Sequence, residues 1–161
     1  MDEQLRGQPV TAIGTSNQIA GELSVDLTNP QRSSVGTIQV NARTLETDQN
    51  FRNRAIQNEI LQTGSYEFIT FVPTEVAGLP NSLAVGETIT FQITGDLTIR
   101  EITQQVTFDV TATLVAADRI AGLASTTVLR SDYNLVIPSV PSVANVSEEV
   151  LLEIDFVATA Q

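Results

Sequence analysis

Apolar and polar residues alternate one for one over much of this chain, and that period of two confines the fold to strands with one dry and one wet face. The odd positions of 19–27 are apolar, from Ile19 to Leu27. Residues 88–94 alternate as Thr, Ile, Thr, Phe, Gln, Ile, Thr, and the pattern continues past Gly95 through Leu97 to Ile99. Val106, Phe108 and Val110 are interleaved with Thr107 and Asp109, and Val150, Leu152, Ile154 and Phe156 stand against Glu153 and Asp155. Thr, Val and Ile supply 50 of the 161 residues, a β-branched load that suits pleated, half-buried surfaces. Further strands are predicted over 34–42, 66–76 and 121–129. Turns fall at Asn29-Pro30, Leu79-Pro80-Asn81 and Val85-Gly86. One segment, about 50–62, reads as a helix: Asp48 or Asn50 can cap it, and Phe51, Ala55, Ile56 and Ile60 form an apolar stripe. Residues 137–142 carry two prolines and read as a loop. The prediction is a single all-β domain over 1–161, an antiparallel sandwich or closed barrel, with Gly21, Gly36 and Gly95 favouring the barrel.

The residues that are missing narrow the chemistry. The chain has no Cys and no His, and all eight of its basic residues are Arg, so there is no Lys. Nucleophile–imidazole systems, thiolate or imidazole metal sites, Schiff bases and P-loops are all excluded. No cofactor or metal is expected. The formal net charge of -11, with no basic cluster, argues against nucleic acid as a partner. Carboxylates do gather at Glu46 and Asp48, at Glu148 and Glu149, and at Asp132 beside Arg130. They read as a helix cap, a solvated strand end and an ion pair, because no calcium-loop pattern surrounds them. No apolar run is long enough to span a membrane as a helix, and the opening residues lack the apolar core of a signal peptide. The expectation is a cytoplasmic chain or one whose leader has been removed.

A barrel of about eight strands can either fill with its own side chains or hold one small ligand. The residues expected to face inward are Ile38, Val40, Phe51, Ile56, Phe68, Phe71, Phe91, Ile93, Leu97, Val106, Phe108, Leu152, Ile154 and Phe156. Only 5% of residues are aromatic and none is Trp, which leaves room for a partly hollow interior. Arg52 and Arg54 stand near the helix start, where the macrodipole disfavours cations. They read either as partners of Glu46, Asp48 or Glu59, or as contacts for a ligand headgroup at a cavity mouth, with Arg130 as a third candidate.

Residues 44–56 and 60–71, with Thr47-Asp48, Arg52 and Tyr66-Glu67-Phe68, resemble the "T-D-x-x-x-R" helix and following "Y-P-x-I-x-F" strand of the YceI-like family. Gly95-Asp96-Leu97-Thr98-Ile99 with Thr103-Gln104-Gln105-Val106 resembles its "G-x-L-T-I-x-G-x-T-x-x-V" hairpin. Arg130-Ser131-Asp132-Tyr133-Asn134 is similar to its "R-x-D-F-G" segment, and 146–150 to the entry of its last strand. The resemblance implies an eight-stranded antiparallel lipocalin-like barrel with a short helix. It also implies a periplasmic or extracellular place and a polyisoprenoid, an isoprenoid quinone or another long lipid in the apolar interior, with transient membrane contact. Arg100-Glu101 replaces the hairpin's usual His-Gly, Asn53 replaces an Asp, and Asn134 replaces a Gly. Because the family opens with a strand ahead of the segment that begins here at Asp2, the expectation is an incomplete first strand and an edge open to a second subunit. The reading that follows is a lipid-binding or transport protein without catalytic residues. The alternative is a structural or protein-interaction barrel filled by its own core, and an enzyme working with carboxylates alone is a third reading.

Overall fold

A computed structural model describes residues 1–160, and its longest strands are the longest alternating runs. In chain order the strands are β1 (Asp2–Leu5), β2 (Gln8–Thr11), β3 (Ile19–Ala20), β4 (Leu23–Ser24), β5 (Ser34–Val35) and β6 (Ile38–Asn41). After the helical segment come β7 (Phe68–Ala77), β8 (Thr88–Ile99), β9 (Ile102–Ala116), β10 (Arg119–Leu129), β11 (Val143–Ala144) and β12 (Glu149–Thr159). One antiparallel sheet runs in the order β12-β10-β9-β8-β7-β6-β3 and curls into a half-barrel, so the fold is all-β and barrel-like. Among the described residues β12 and β3 do not pair, so the sheet has seven strands and two free edges. The opening strand β1 is no edge: it lies between β2 and β11 in a separate small sheet.

The centre of the fold is the β8–β9 hairpin, paired without interruption from Thr88↔Thr113 to Ile99↔Ile102. Its wet face explains the wealth of threonine. Thr88–Thr113, Thr94–Thr107 and Thr98–Thr103 join hydroxyl to hydroxyl across the strands at 2.7–2.8 Å, and the Gln92 amide donates to Asp109 at 2.8 Å. Its dry face sets Ile93 opposite Phe108 and Phe91 opposite Val110. Phe71 of β7 packs edge-on against Phe108 with ring centres 5.0 Å apart. On β7 the register shifts between Pro73 and Glu75, a bulge that lets Phe71 and Val76 both join the core although they lie five positions apart. Along β7, β6 reaches only Phe68–Phe71, so Pro73, which has no N–H to give, has no β6 partner.

Two glycines mark where the sheet bends most tightly. A Cβ on Gly95 would sit 2.5 Å from the Val72 carbonyl oxygen, and one on Gly122 would sit 2.4 Å from that of Thr111 and 2.8 Å from the Phe156 ring. Gly95 was expected in this role and Gly122 was not. Gly21 and Gly36 lie outside the strands and interrupt them instead. The expected strand over 19–27 is thereby reduced to two two-residue pieces, and Ile19, Leu23, Val25 and Leu27 stay 37–40% exposed.

The helix forms as α1 (Asn50–Ala55), widens into a π turn over Ile56–Ile60, and stops where Gln62 takes φ 49°. Neither Asp48 nor Asn50 caps it. Asn53 reaches back instead, its amide oxygen accepting from the Thr47 amide and hydroxyl at 2.7 Å each. Residues 137–142 carry no strand or helix, as their prolines require.

The fit at Gly122 is directly testable. Gly122→Ala is expected to destabilise the fold by about 1–3 kcal/mol through overpacking. Gly64→Ala, with nothing within 4 Å, is expected to leave stability within about 0.5 kcal/mol. Urea unfolding of both variants decides it, and equal midpoints would contradict the close approach.

Candidate functional site

The concave face of the half-barrel gathers most of the predicted lining residues into one trough. Phe91, Ile93 and Leu97 of β8, with Val106 and Phe108 of β9, form its floor. Phe71 of β7 and Ile38 of β6 join the same apolar cluster on one flank, where half-buried Val40 pairs with Ile69. Leu152, Ile154 and Phe156 of β12 line the other flank, and Ile56 of the π turn packs over one end. Ile93, Leu97 and Phe108 of the floor are buried and Phe91 and Val106 half-buried, and every inward residue of β12 from Val150 to Phe156 is only half-buried, because no strand lies beyond that edge. Two predicted residues fall elsewhere. Phe68 sits one position out of phase with Phe71 and is 44% exposed, and Phe51 on the helix is 42% exposed beneath the Arg52 guanidinium. Ile69 takes the inward position that Phe68 was assigned.

The arginines divide sharply. Arg52 is buried and pairs with Glu3 of β1 and with Asp48, the latter at 2.6 Å. It therefore pins the opening sheet to the helix, and it is not free to meet a ligand. Of its two partners Asp48 was foreseen and Glu3, 49 residues away, was not. Arg130 likewise holds the chain together, donating from Nε to the Ser147 carbonyl at 2.8 Å and from Nη1 to that of Leu135 at 3.2 Å. Its Nη2 donates to Glu148 at 2.9 Å. The guanidinium thus clamps both ends of the proline-bearing loop. Arg54 is exposed. Of the three predicted headgroup contacts, two are structural clamps.

A third clamp stands at the β8–β9 turn. Arg100 takes φ 56°, stacks over Tyr66 at 5.7 Å and donates to the Ile60 carbonyl at 3.3 Å, tying the hairpin tip to the end of the π turn. The helical segment therefore covers the trough at its hairpin end. Beside that end, the β9–β10 ladder stops at Ser125↔Asp109. Beyond it the strands part around a cavity of about 240 Å³ lined by Val106, Thr107, Thr126, Val128 and Tyr133. Tyr133, 1% exposed, fills the inner side of this parting, and burial pushes its phenol up to about 12. Asn134 behind it adopts φ 51°, the left-handed conformation that a glycine would take freely and that Asn tolerates. Among the described residues no three carboxylates gather into a metal site, and no helix is long and apolar enough to cross a membrane.

The Arg52 pair sets the stability of this assembly. Arg52→Ala, which strands Glu3 without its partner, is expected to cost about 3–5 kcal/mol in urea unfolding. The double variant Glu3→Leu/Arg52→Met should recover most of that loss. Asp48 lies below its ordinary 3.8, held there by the Gln49 side chain first and then by Arg52. A depressed carboxylate stabilises fully above its unfolded value and loses that contribution as pH falls through its folded one. Asp48→Asn should therefore flatten the acid limb of the stability profile below pH 3.8. An unchanged acid limb would remove Asp48 from the clamp.

Relatives place this arrangement. A UPF0312 protein of Shewanella sp. (strain MR-4) is 26% identical over 147 residues, covering 88% of this chain and 73% of its own. The Campylobacter jejuni YCEI protein superposes with a TM-score of 0.78 at 16% identity, over 94% of this chain and 86% of its own. Burkholderia cenocepacia BcnA does so at 0.69 with 20% identity, over 88% and 84%. A polyisoprenoid binding domain from Saccharophagus degradans, implicated in plant cell wall breakdown, gives 0.64 at 14% identity, over 80% and 82%. The YceI-like domain model matches residues 4–158, almost the whole of the chain, and the protein belongs to the YceI-like family.

Proposed function

We propose that the chain works as one lipid-binding domain over 1–161, holding a polyisoprenoid or another long amphipathic lipid in the trough. The observation that carries this reading is the half-covered apolar stripe of β12, Val150, Leu152, Ile154 and Phe156, facing the buried floor across the open side of the sheet. An apolar strip left half-covered over that length favours something lying on it. Each methylene a ligand buries there contributes roughly 0.8 kcal/mol, so a long prenyl chain needs few polar contacts. The kinship with a polyisoprenoid binding domain supports the ligand class. Binding, sequestration or transport of the lipid, an isoprenoid quinone included, is the role we assign, without catalysis and in the periplasm or outside the cell. The charge of -11 suits brief contacts with anionic membranes and not lasting ones.

A filled-core interaction module is the second reading, favoured by the Phe71–Phe108 stack and by Tyr133 at the covered end. Native mass spectrometry of freshly purified protein, with solvent extraction, separates the two. A discrete added mass that extracts as a prenyl lipid, and binding of added prenyl lipid that falls about tenfold or more in Ile154→Glu, is the expected result. A clean apo mass together with no binding of added prenyl lipid would favour the filled-core module.

A further inference from the structure

The covered end of the trough contains a hydrogen-bond donor for which the protein provides no acceptor. The Tyr133 hydroxyl is buried and has no partner, whereas buried hydroxyls in folded proteins nearly always have one. Its position is not slack. The turn Arg130–Tyr133 is fixed on one side by the Arg130 clamp and on the other by the left-handed Asn134, and the ring belongs to the same buried cluster as Leu97, Phe108 and Val128. The YceI-like motif has Phe at this position, and a Phe ring fills the same volume, so packing alone does not call for the oxygen.

The surroundings supply space as well. β10 from Thr126 to Leu129 pairs only with β12, and β9 from Ile102 to Phe108 pairs only with β8. Tyr133 therefore borders the stretch where β9 and β10 part, and Gln104 bridges the parting by donating to the Asp132 carbonyl at 3.0 Å. The cavity wall is mixed, with Gln104, Thr126 and Asp132 beside Val106 and Val128, and a phenol this deeply buried keeps its proton and can donate it to an acceptor oxygen.

We propose that Tyr133 and the β9–β10 parting form a polar subsite that accepts a carbonyl or ether oxygen of the lipid lying in the trough. The ligand class is then an oxygenated prenyl lipid, entered oxygen first toward the covered end, and not a plain hydrocarbon. This rests on the lipid-binding reading above and goes one step further, by assigning an orientation and a selectivity to it.

Two probes of equal shape test it: farnesylacetone, and the hydrocarbon in which its carbonyl is a methylene. Each is titrated into wild-type protein and Tyr133→Phe by displacement of a bound apolar dye, and the apo proteins are unfolded in urea. The expected result is that Tyr133→Phe weakens farnesylacetone about tenfold, leaves the hydrocarbon unchanged, and leaves apo stability equal or higher. Equal affinity of the variant and wild type for the ketone overturns the subsite while the lipid reading stands. Parallel loss of both probes also overturns it, since that marks a packing role only. A marked loss of apo stability does so too, since it shows the hydroxyl already satisfied. Failure of wild-type protein to bind either probe defeats the lipid reading itself, and the subsite with it.

Discussion

Everything in this structure depends on how a sheet with one dry face can hide that face. Two curled layers would bury it fully, but this chain has a single large sheet, and curling is the only remedy available to it. The long β8–β9 ladder supplies the stiff centre, and the bulge at Pro73–Glu75 and the glycine approaches at Gly95 and Gly122 supply the curvature. The depth of burial follows directly. Ile93, Leu97, Phe108 and Val110, at the middle of the sheet, are buried, while the inward residues of the edge strand β12 are not. The trough is thus a geometric consequence of curling without closure, and its apolar lining is the same dry face that drove folding.

The segments outside the large sheet dock apolar residues such as Ile56, Leu61 and Tyr133 on the core, and arginines tie them to one another. Arg52 joins β1 to the helix, Arg100 joins the hairpin tip to the π turn, and Arg130 joins the two ends of the 135–148 loop. Each uses the planar fork of donors that lysine lacks, reaching carbonyls and carboxylates in several directions at once. The exposed Arg43–Glu67 pair, by contrast, contributes little. In a chain with only eight cations, three are committed to holding its parts together.

Much of this was legible from the residues. β8 covers its alternating run, β9 and β12 extend past theirs to Ile102–Ala116 and Glu149–Thr159, and the helix begins at the predicted residue. The inward phase was right for Phe91, Ile93, Phe108 and Ile154, because a period of two leaves no freedom once one face is dry. It failed at Phe68, where the strand enters the sheet at Tyr66-Glu67-Phe68 and aromatic residues lie on both faces. It failed again over 19–27, where apolar alternation without a long partner strand is not enough to make a strand. The Glu3–Arg52 pair lay outside any local pattern, since a contact 49 residues apart leaves no periodic trace. Gly122 was missed for a similar reason: what demands it is the Thr111 carbonyl on the neighbouring strand.

The unequal ends of the trough bear on how it can discriminate. A ligand held only by apolar contact is selected by length and width, because burial energy grows with area and is indifferent to direction. Here the hairpin end is covered by the π turn, while the β12 flank remains open. That asymmetry gives a chain-like ligand a blunt stop at one end and lateral access along its side. The outer face of β12 carries Glu149, Glu153 and Asp155 together with the exposed Leu151 and Val157. In an antiparallel pairing of two such edges about Ile154, Glu153 of each copy would stand opposite Asp155 of the other, and like charges directly opposed disfavour that pairing. Charge therefore disfavours that register of edge pairing, while the inner apolar side of the strand stays open to a ligand of the kind proposed.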